Sequence, residues 1–361
     1  MILAIATAIA VPLIFLGFVR WLDLYASGSF RGIMVCFGWG MGAFLLAYQV
    51  NTIAVRFVGF GLLMTLVAPV VEEMLKSLGL VHYVRQPDFT YFVDGAIYGF
   101  AAGTAFAVLE NLLYLSRAGS DTGLLVALSR AFSTSLMHGS ASALVGVALG
   151  RLRFGRGLSR IASLLMGWAA AMALHITFNN VVKRSQGPLT LAVAVGLGLG
   201  GVGLTAAFIF WGLREERRWL RETLGLQVGV SAGESAIVQQ LDNLEPLLTP
   251  IGERFGTDKR KQVEALLRLQ AQMGLKRKVQ EMTPDPNLRT EMGAQVTALR
   301  QQIDTMRREV GLYCMAYVRS ILPPETEPIW AHLGRTLETR ETSSARSVWS
   351  TLDDKLQKRG R

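Results

Sequence analysis

The segment "FVGFGLLMTLVAPVVEEMLKSLGLV", residues 57–81, decides how this chain folds. It is apolar and long enough to cross a bilayer, which takes about 20 residues of α-helix. Yet Glu72, Glu73 and Lys76 stand near its middle. Ionisable side chains at that depth are costly and usually face an interior cavity. The segment therefore predicts a membrane helix that directs charged groups into a helical bundle.

The composition divides the chain into two parts. Residues 1–213 contain 13 Lys and Arg and 7 Asp and Glu, whereas residues 214–361 contain 24 and 20. With 51% hydrophobic residues and a mean hydropathy of +0.34, the chain is too apolar for an ordinary soluble enzyme. We predict a transmembrane domain over 1–213, a basic juxtamembrane linker over 214–225 and a water-soluble helical domain over 226–361.

Seven apolar segments are long enough to cross the membrane as helices, so we predict an all-α polytopic membrane protein. They are residues 1–22, 30–50, 57–83, 91–115, 123–149, 158–182 and 189–213. In the tail, the patterns of 258–273 and 288–317 predict amphipathic helices, with a shorter helix around 329–339. These helices would form a bundle, or a coiled coil that serves self-association or partner docking.

Basic residues in the connecting segments predict the orientation. With the N-terminus outside, eleven arginines fall on the inner side and four Lys and Arg on the outer side. The C-terminal domain would then be cytoplasmic, in a protein embedded in the lipid bilayer of a bacterial cytoplasmic membrane. The net charge of +10 reflects such anchors and no nucleic-acid surface, because no clustered basic and aromatic patch is present.

Three further ionisable groups lie at similar depth on other predicted helices: Glu110 on the fourth, His138 on the fifth and His175 on the sixth. At 1.5 Å per residue, the two histidines lie near the midplane and Glu110 lies nearer the outer face. We therefore expect these groups to converge with the glutamates of the third helix.

Helical spacing adds detail to the third helix. Glu72 and Lys76 are four residues apart, so we expect them to share a face and to leave Glu73 free. Pro69 comes one turn earlier, where it removes a backbone hydrogen bond and can bend the helix.

Each group also has a structural interpretation. Glu72 and Lys76 could form an ion pair that only holds helices together, and His138 could be an interhelical hydrogen-bond donor. Asp94 and Arg130 lie near predicted span ends, so we expect them to be structural.

Ionisable groups on four helices at one depth favour a functional cavity, either of a hydrolase or of a proton-coupled transporter or sensor. No internal repeat typical of transporters is visible.

Carboxylates and imidazoles in a partly wet cavity can activate water. A glutamate can accept a proton from water and return it later, and histidines can bind Zn²⁺ or polarise a carbonyl. The H-E-x-x-H motif of soluble zinc proteases is absent. The residues alone therefore leave a zinc site and a metal-free glutamic site both open.

Four elements in order resemble the PrsW family of intramembrane proteases, which is related to the CAAX prenyl proteases. "EEMLK" (72–76) is similar to their E-E-x-x-K signature, and "FAVLE" (106–110) to their F-x-x-x-E element. His138 and "HITFN" (175–179) are similar to the two later histidine elements. In the prenyl proteases the second element usually ends in His, so Glu110 favours the PrsW branch.

The resemblance covers residues 30–213 and implies cleavage of membrane protein substrates, such as a single-pass anti-sigma factor. It implies that Glu72 and Glu73 activate water, that His138 and His175 polarise or ligate, and that Glu110 is a second acid or a ligand. Lys76, Phe106 and Asn179 would be supporting residues. If a metal is bound, its expected ligands are Glu110, His138 and His175. An inactive relative that binds membrane proteins without cutting them is the alternative within the family.

Overall fold

The computed structural model describes residues 1–25, 28–118, 122–154, 158–184, 188–224, 238 and 244–321. Within these residues the chain is almost entirely helical and has no strand, which confirms the predicted all-α fold. The helices are α1 (Ile2–Trp21), α2 (Phe30–Leu62), α3 (Ala68–Tyr83), α4 (Phe92–Arg117), α5 (Gly123–Phe132), α6 (Thr134–Leu152), α7 (Leu158–Arg184), α8 (Pro188–Leu224), α9 (Glu245–Phe255), α10 (Thr257–Met282), α11 (Pro286–Val310) and α12 (Leu312–Ile321). The helix expected around residues 329–339 lies outside the described residues.

Among the described residues, six helices are long and apolar enough to cross a membrane, with Phe30–Tyr83 counted as one of them. The sequence predicted about seven because it divided this stretch in two. A π-helical turn, Leu63–Val67, joins α2 to α3, and Gly59 breaks α2 with a φ of 74°. The two arms then run side by side in opposite directions, because later residues of α2 contact earlier residues of α3: Ser29 contacts Tyr83, Trp39 contacts Leu75 and Asn51 contacts Glu72.

Helices α4 and α6 form the centre of the bundle. Of the 18 residues that form the apolar stretch of α4, and likewise of the α5–α6 stretch, 89% are buried. The corresponding share is 22% for α1 and for α7. Small residues permit this contact, because a Cβ at Gly95, Gly99 or Gly103 would overlap backbone carbonyl groups of α6. At Gly103 that carbonyl belongs to His138, so the small-residue contact fixes the position of a predicted site residue.

The remaining membrane helices surround this pair and expose apolar side chains. Large exposed residues occur on α1, α2, α7 and α8, for example Ile14, Phe57, Met166 and Phe210. In water such a surface would be unusual, but lipid tails are as apolar as these side chains. The exposed apolar faces therefore agree with a bundle that lies in a bilayer.

The C-terminal helices begin and end at residues that suit helix ends. Asp285 accepts hydrogen bonds from Asn287 N and Leu288 N at the start of α11, and Pro286 occupies its first turn. Gly256, with a φ of 89°, separates α9 from α10, and Gly311, with a φ of 87°, separates α11 from α12. The helices predicted over 258–273 and 288–317 are therefore separate elements, and the second of them is divided at Gly311.

These C-terminal helices pack against the loops at one end of the bundle. Arg268 Nη1 donates to Leu24 O at 3.1 Å, and Gln295 Nε2 donates to Asp88 Oδ1 at 2.9 Å. Within the chain, the apolar stripe of α11 is buried through Met292, Ile303 and Val310. This part of the tail is a helical bundle joined to the membrane domain, and its stripe already has an internal partner.

Candidate active site

Four helices bring the predicted site residues together inside the bundle. Helix α3 contributes Glu72, Glu73 and Lys76, α4 contributes Glu110, α6 contributes His138 and α7 contributes His175. The side chains of Glu73, Lys76 and the two histidines are at most 3% exposed. The predicted convergence is therefore present as a buried cluster of charged and imidazole groups.

Glu73 lies at the centre of this cluster. Its Oε1 accepts from Lys76 Nζ at 2.6 Å and from His175 Nδ1 at 2.8 Å. The expectation that Lys76 pairs with Glu72 and leaves Glu73 free is wrong. The spacing of three residues also places groups on one face, and helical side chains lean toward the N-terminus, which directs Lys76 back to Glu73.

His138 is held from both sides of its ring. Lys76 Nζ lies 3.0 Å from Nδ1, and Glu110 Oε2 lies 3.1 Å from Nε2. Phe106 packs against this arrangement, with its ring centre 5.1 Å from that of His138 and 4.9 Å from Lys76 Nζ. Phe106 is thus an apolar wall that packs against the lysine and the imidazole.

Glu72 presents an unused carboxylate oxygen to the same space. Asn51 Nδ2 of α2 donates to Glu72 Oε1 at 3.2 Å. The other oxygen, Oε2, is buried without a hydrogen-bond partner in the described part of the chain and lies 3.8 Å from His175 Nε2. In the neutral form of His175, donation from Nδ1 to Glu73 leaves the lone pair on Nε2, and two acceptors then face each other.

Three side chains of the cluster could hold a metal ion: Glu72, His138 and His175. One donor atom from each lies within 4.8 Å of the other two. Two histidines and a carboxylate, with a fourth position open, are a common hydrolytic zinc ligand set. Glu110 was expected in this set, but the group found within the described residues contains Glu72 in its place.

The charges and the neighbouring contacts fit such an ion. The three glutamates carry one more formal charge than Lys76 and Arg130 offset, and the unpartnered Glu72 Oε2 is a ready ligand. Glu73 and Glu110 each contact one imidazole, in the way that carboxylates orient metal-binding histidines. Lys76 would have to move away from His138 Nδ1 for that nitrogen to ligate.

Asn179, expected to support the site, acts through the backbone. The π turn and Pro69 leave carbonyl groups of residues 64 and 65 without their usual helical donors. Asn179 Nδ2 donates to Met64 O at 2.9 Å, and Asn180 Nδ2 donates to Thr65 O at 3.1 Å. These two amides tie α7, which carries His175, to the turn that leads into the glutamates.

The sequence missed two residues that contact the site. Asn51 holds Glu72, and Arg130 Nη2 contacts Glu110 Oε2 at 2.6 Å, although Arg130 was expected to be a structural residue near a span end. Arg130 is a charged residue within the apolar segment 123–149, and that was the available signal. Asn51 comes directly after the segment predicted at 30–50 and gave no such signal. The partners of both residues could not be predicted, because they lie 20 and 21 residues away on other helices.

Comparisons with known proteins agree with these motifs. A family profile described as "PrsW family intramembrane metalloprotease" matches residues 28–212, slightly more than half of the chain. The protein named Protease PrsW of Bacillus subtilis is 29% identical over 116 residues, which are 31% of this chain and 50% of that protein. Protease PrsW of Clostridioides difficile is 28% identical over 118 residues, 32% of this chain and 50% of that protein. The chain spans about half the length of these curated relatives, and no solved structure matches.

Proposed function

Because this chain belongs to the PrsW family, we propose that it hydrolyses peptide bonds of membrane protein substrates with water activated in the buried cluster. The family membership supports the reaction class. The arrangement of Glu72, His138 and His175 supports the residues that carry it out.

The observation that carries the proposal is the pair of facing acceptors. Glu72 Oε2 and His175 Nε2 lie 3.8 Å apart, and the carboxylate oxygen is buried without a partner in the described residues. Two lone pairs at that distance attract a proton donor or a cation between them. A water molecule there would be oriented and ready to lose a proton, as a hydrolytic nucleophile requires.

In the proposed reaction, Glu72 is the general base. It takes a proton from water while the water oxygen attacks the peptide carbonyl carbon, and it later gives a proton to the leaving amine nitrogen. The carbon–nitrogen bond then breaks, which leaves a carboxylic acid and an amine, and the proton of the acid passes to the amine at neutral pH. Glu73 and Glu110 hold the imidazoles of His175 and His138, and Lys76 offsets the charge of Glu73.

The alternative form is metal-dependent, and in it Glu72 would be a ligand and not the general base. Glu72, His138 and His175 supply one carboxylate oxygen and two imidazole nitrogens, a set suited to zinc. When bound, zinc would acidify the attacking water and polarise the carbonyl oxygen. In either form Glu73 keeps the Nε2 lone pair of His175 directed into the site, since it bonds to Nδ1.

We infer that substrates are single-pass membrane proteins, for example an anti-sigma factor, and that the protein resides in a bacterial cytoplasmic membrane. The more exposed members of the cluster are Glu72, Glu110 and Arg130, with side chains 11%, 18% and 16% accessible. A substrate segment would reach the site past these three. Basic residues favour the N-terminus outside and the C-terminal domain in the cytoplasm, where it would receive a partner or a second copy.

The test compares protein N-termini by mass spectrometry in host cells that express the wild type or Glu72→Gln at equal levels. Glu253→Gln is the matched control, because it makes the same change in an exposed carboxylate of α9. We expect new N-termini near the membrane segment of one or a few proteins with the wild type and the control, and none with Glu72→Gln.

Identical N-termini in all three cultures, under several stresses, would contradict the proposal and favour a transporter, a sensor or an inactive relative. Adding a membrane-permeant zinc chelator to the wild-type culture separates the two chemistries. Loss of the new N-termini on chelation would support the zinc form, and their persistence would support the metal-free form.

A further inference from the structure

Arg130 of α5 forms a polar network beside the cluster. Its Nη2 contacts Glu110 Oε2 at 2.6 Å, and its Nε donates to Asn111 Oδ1 at 3.0 Å. The guanidinium carbon lies 3.8 Å from the ring centre of Tyr114. Asn111 Nδ2 in turn donates to Ser135 Oγ of α6 at 2.8 Å. The guanidinium is therefore fixed by one ion pair, one amide and one aromatic face.

This network ends on a functional atom. Glu110 Oε2, the oxygen that Arg130 contacts, is also the oxygen that lies 3.1 Å from His138 Nε2. An arginine that only joined helices could pair with any carboxylate oxygen. Here the guanidinium and the imidazole share a single acceptor, so the position of Arg130 determines the position of the oxygen that His138 meets.

The two contacts of His138 require the same form of its ring. A carboxylate held by a guanidinium accepts hydrogen bonds, so Nε2 must carry the proton. The Lys76 ammonium can only donate, and it lies 3.0 Å from Nδ1, so Nδ1 must carry the lone pair. Two independent partners on opposite sides of the ring thus select the neutral Nε2–H tautomer.

We propose that Arg130 is a positioning residue, which fixes Glu110 and thereby holds His138 in the Nε2–H tautomer with its Nδ1 lone pair facing Lys76. Without the guanidinium, the Glu110 carboxylate would lack its nearest positive partner and would be free to turn away from His138. His138 would then keep only the Lys76 contact at Nδ1, and its preference for the Nε2–H tautomer would weaken. The link to cleavage rests on the proposed function, but the tautomer of His138 does not.

The primary experiment is ¹⁵N NMR of the purified full chain in detergent, with selectively labelled histidine. The chain has four histidines, so the His138 signals can be assigned from their absence in His138→Gln. The variants are Arg130→Gln, Arg130→Lys and the matched control Arg117→Gln, which changes an exposed arginine at the end of α4. Thermal unfolding of each variant checks that it is folded.

We expect one neutral Nε2–H pattern for His138 in the wild type and in Arg117→Gln. In Arg130→Gln that pattern should give way to a mixture of the two neutral tautomers. An unchanged His138 signal in folded Arg130→Gln would overturn the inference. If Arg130→Gln does not fold, Arg130→Lys decides, because lysine keeps the charge but cannot bond Glu110 and Asn111 as a fork. In Arg130→Lys, His138 signals from a mixture of tautomers would support the inference, and a His138 signal identical to that of the wild type would overturn it.

The consequence for cleavage is measured separately, on a substrate found by the N-terminus comparison. We expect kcat to fall about 10- to 100-fold in Arg130→Gln with little change in KM, as for other groups that orient a functional histidine. Partial recovery is expected in Arg130→Lys. If the NMR signals change as expected and the wild type cuts no protein, the protease proposal fails while the tautomer inference stands.

Discussion

Two buried charged regions of this molecule are built differently. At the predicted midplane, Glu73 and Lys76 contact other side chains that can gain or lose a proton. At the junction between the membrane helices and the C-terminal helices, Arg153 Nη1 instead donates to three backbone carbonyls, those of Val84, Gln86 and Phe89, at 3.0, 3.1 and 2.6 Å. Burial lowers the pKa of Arg153 to about 10, so its guanidinium stays charged at neutral pH.

The difference separates a chemical site from a structural one. The midplane region leaves one oxygen of Glu72 and one of Glu73 buried without partners in the described residues. Such acceptors destabilise a fold unless something else occupies them, which fits a place where water, an ion or a substrate binds. Carbonyl groups held by Arg153 offer no proton to exchange, so the junction can shape a loop but cannot perform acid–base chemistry.

Glu73→Gln should show the largest effect, because it breaks the centre of the midplane region. We expect cleavage to fall at least about 100-fold, since a neutral amide replaces the carboxylate that orients His175. The variant should also lose on the order of 3 kcal/mol of stability, because the Lys76 ammonium is left buried without its carboxylate. Cleavage is measured on the identified substrate and stability by thermal unfolding in detergent.

The double variant Glu73→Gln/Lys76→Met separates the two effects. It should recover most of the thermal stability and none of the cleavage. Recovery of both would mean that Glu73 only balances the charge of Lys76. Wild-type cleavage in the single variant would remove Glu73 from the mechanism.

Arg153→Met should have the next largest effect, on stability alone. Three carbonyl groups lose a charged donor, which costs about 3 kcal/mol. We expect a lower unfolding temperature and faster proteolysis of the C-terminal helices, which Arg153 also reaches through Met292. Cleavage per folded molecule should stay normal. Arg85→Met, an exposed arginine of the same junction, is the control, and a Tm change equal to that of Arg153→Met would contradict the assignment.

Lys276→Met should have the smallest effect. Burial lowers the pKa of Lys276, against the opposing influence of Asp88, so the folded state binds protons less readily than the unfolded state. The cost of charging Lys276 is therefore present at neutral pH and disappears as the pH approaches 10.5, the ordinary value for lysine. We expect the variant to unfold about 1–2 °C higher at pH 7 and equally at pH 10.5. If the unfolding temperatures of Lys276→Met and the wild type differ equally at both pH values, the difference comes from lost packing or from other charges and not from the buried charge of Lys276.

The sequence predicted the membrane helices well because apolar length is a strong signal, and it predicted the cluster because charged groups are rare at that depth. It could not predict that Lys76 pairs with Glu73, since spacings of three and four residues both place groups on one face. It also could not identify Asn51 and Arg130 as contacts of the site, because their partners depend on the orientation of each helix about its own axis. The small-residue contact of α4 with α6 sets that rotation, and only the folded chain reveals its register.

The pairing of Glu73 with Lys76 has a consequence during synthesis of the chain. The two are three residues apart, so they can neutralise each other as soon as α3 forms, whereas His175 lies 102 residues downstream of Glu73. At about 5–20 residues per second, a ribosome needs on the order of 5–20 s to make the intervening chain. For that time α3 can be in the membrane with Glu73 already paired to Lys76, while Glu72 has no counter-ion within α3 and the second imidazole is missing. Under the proposed function, the newborn chain would stay inactive until α7, which carries His175, has been made.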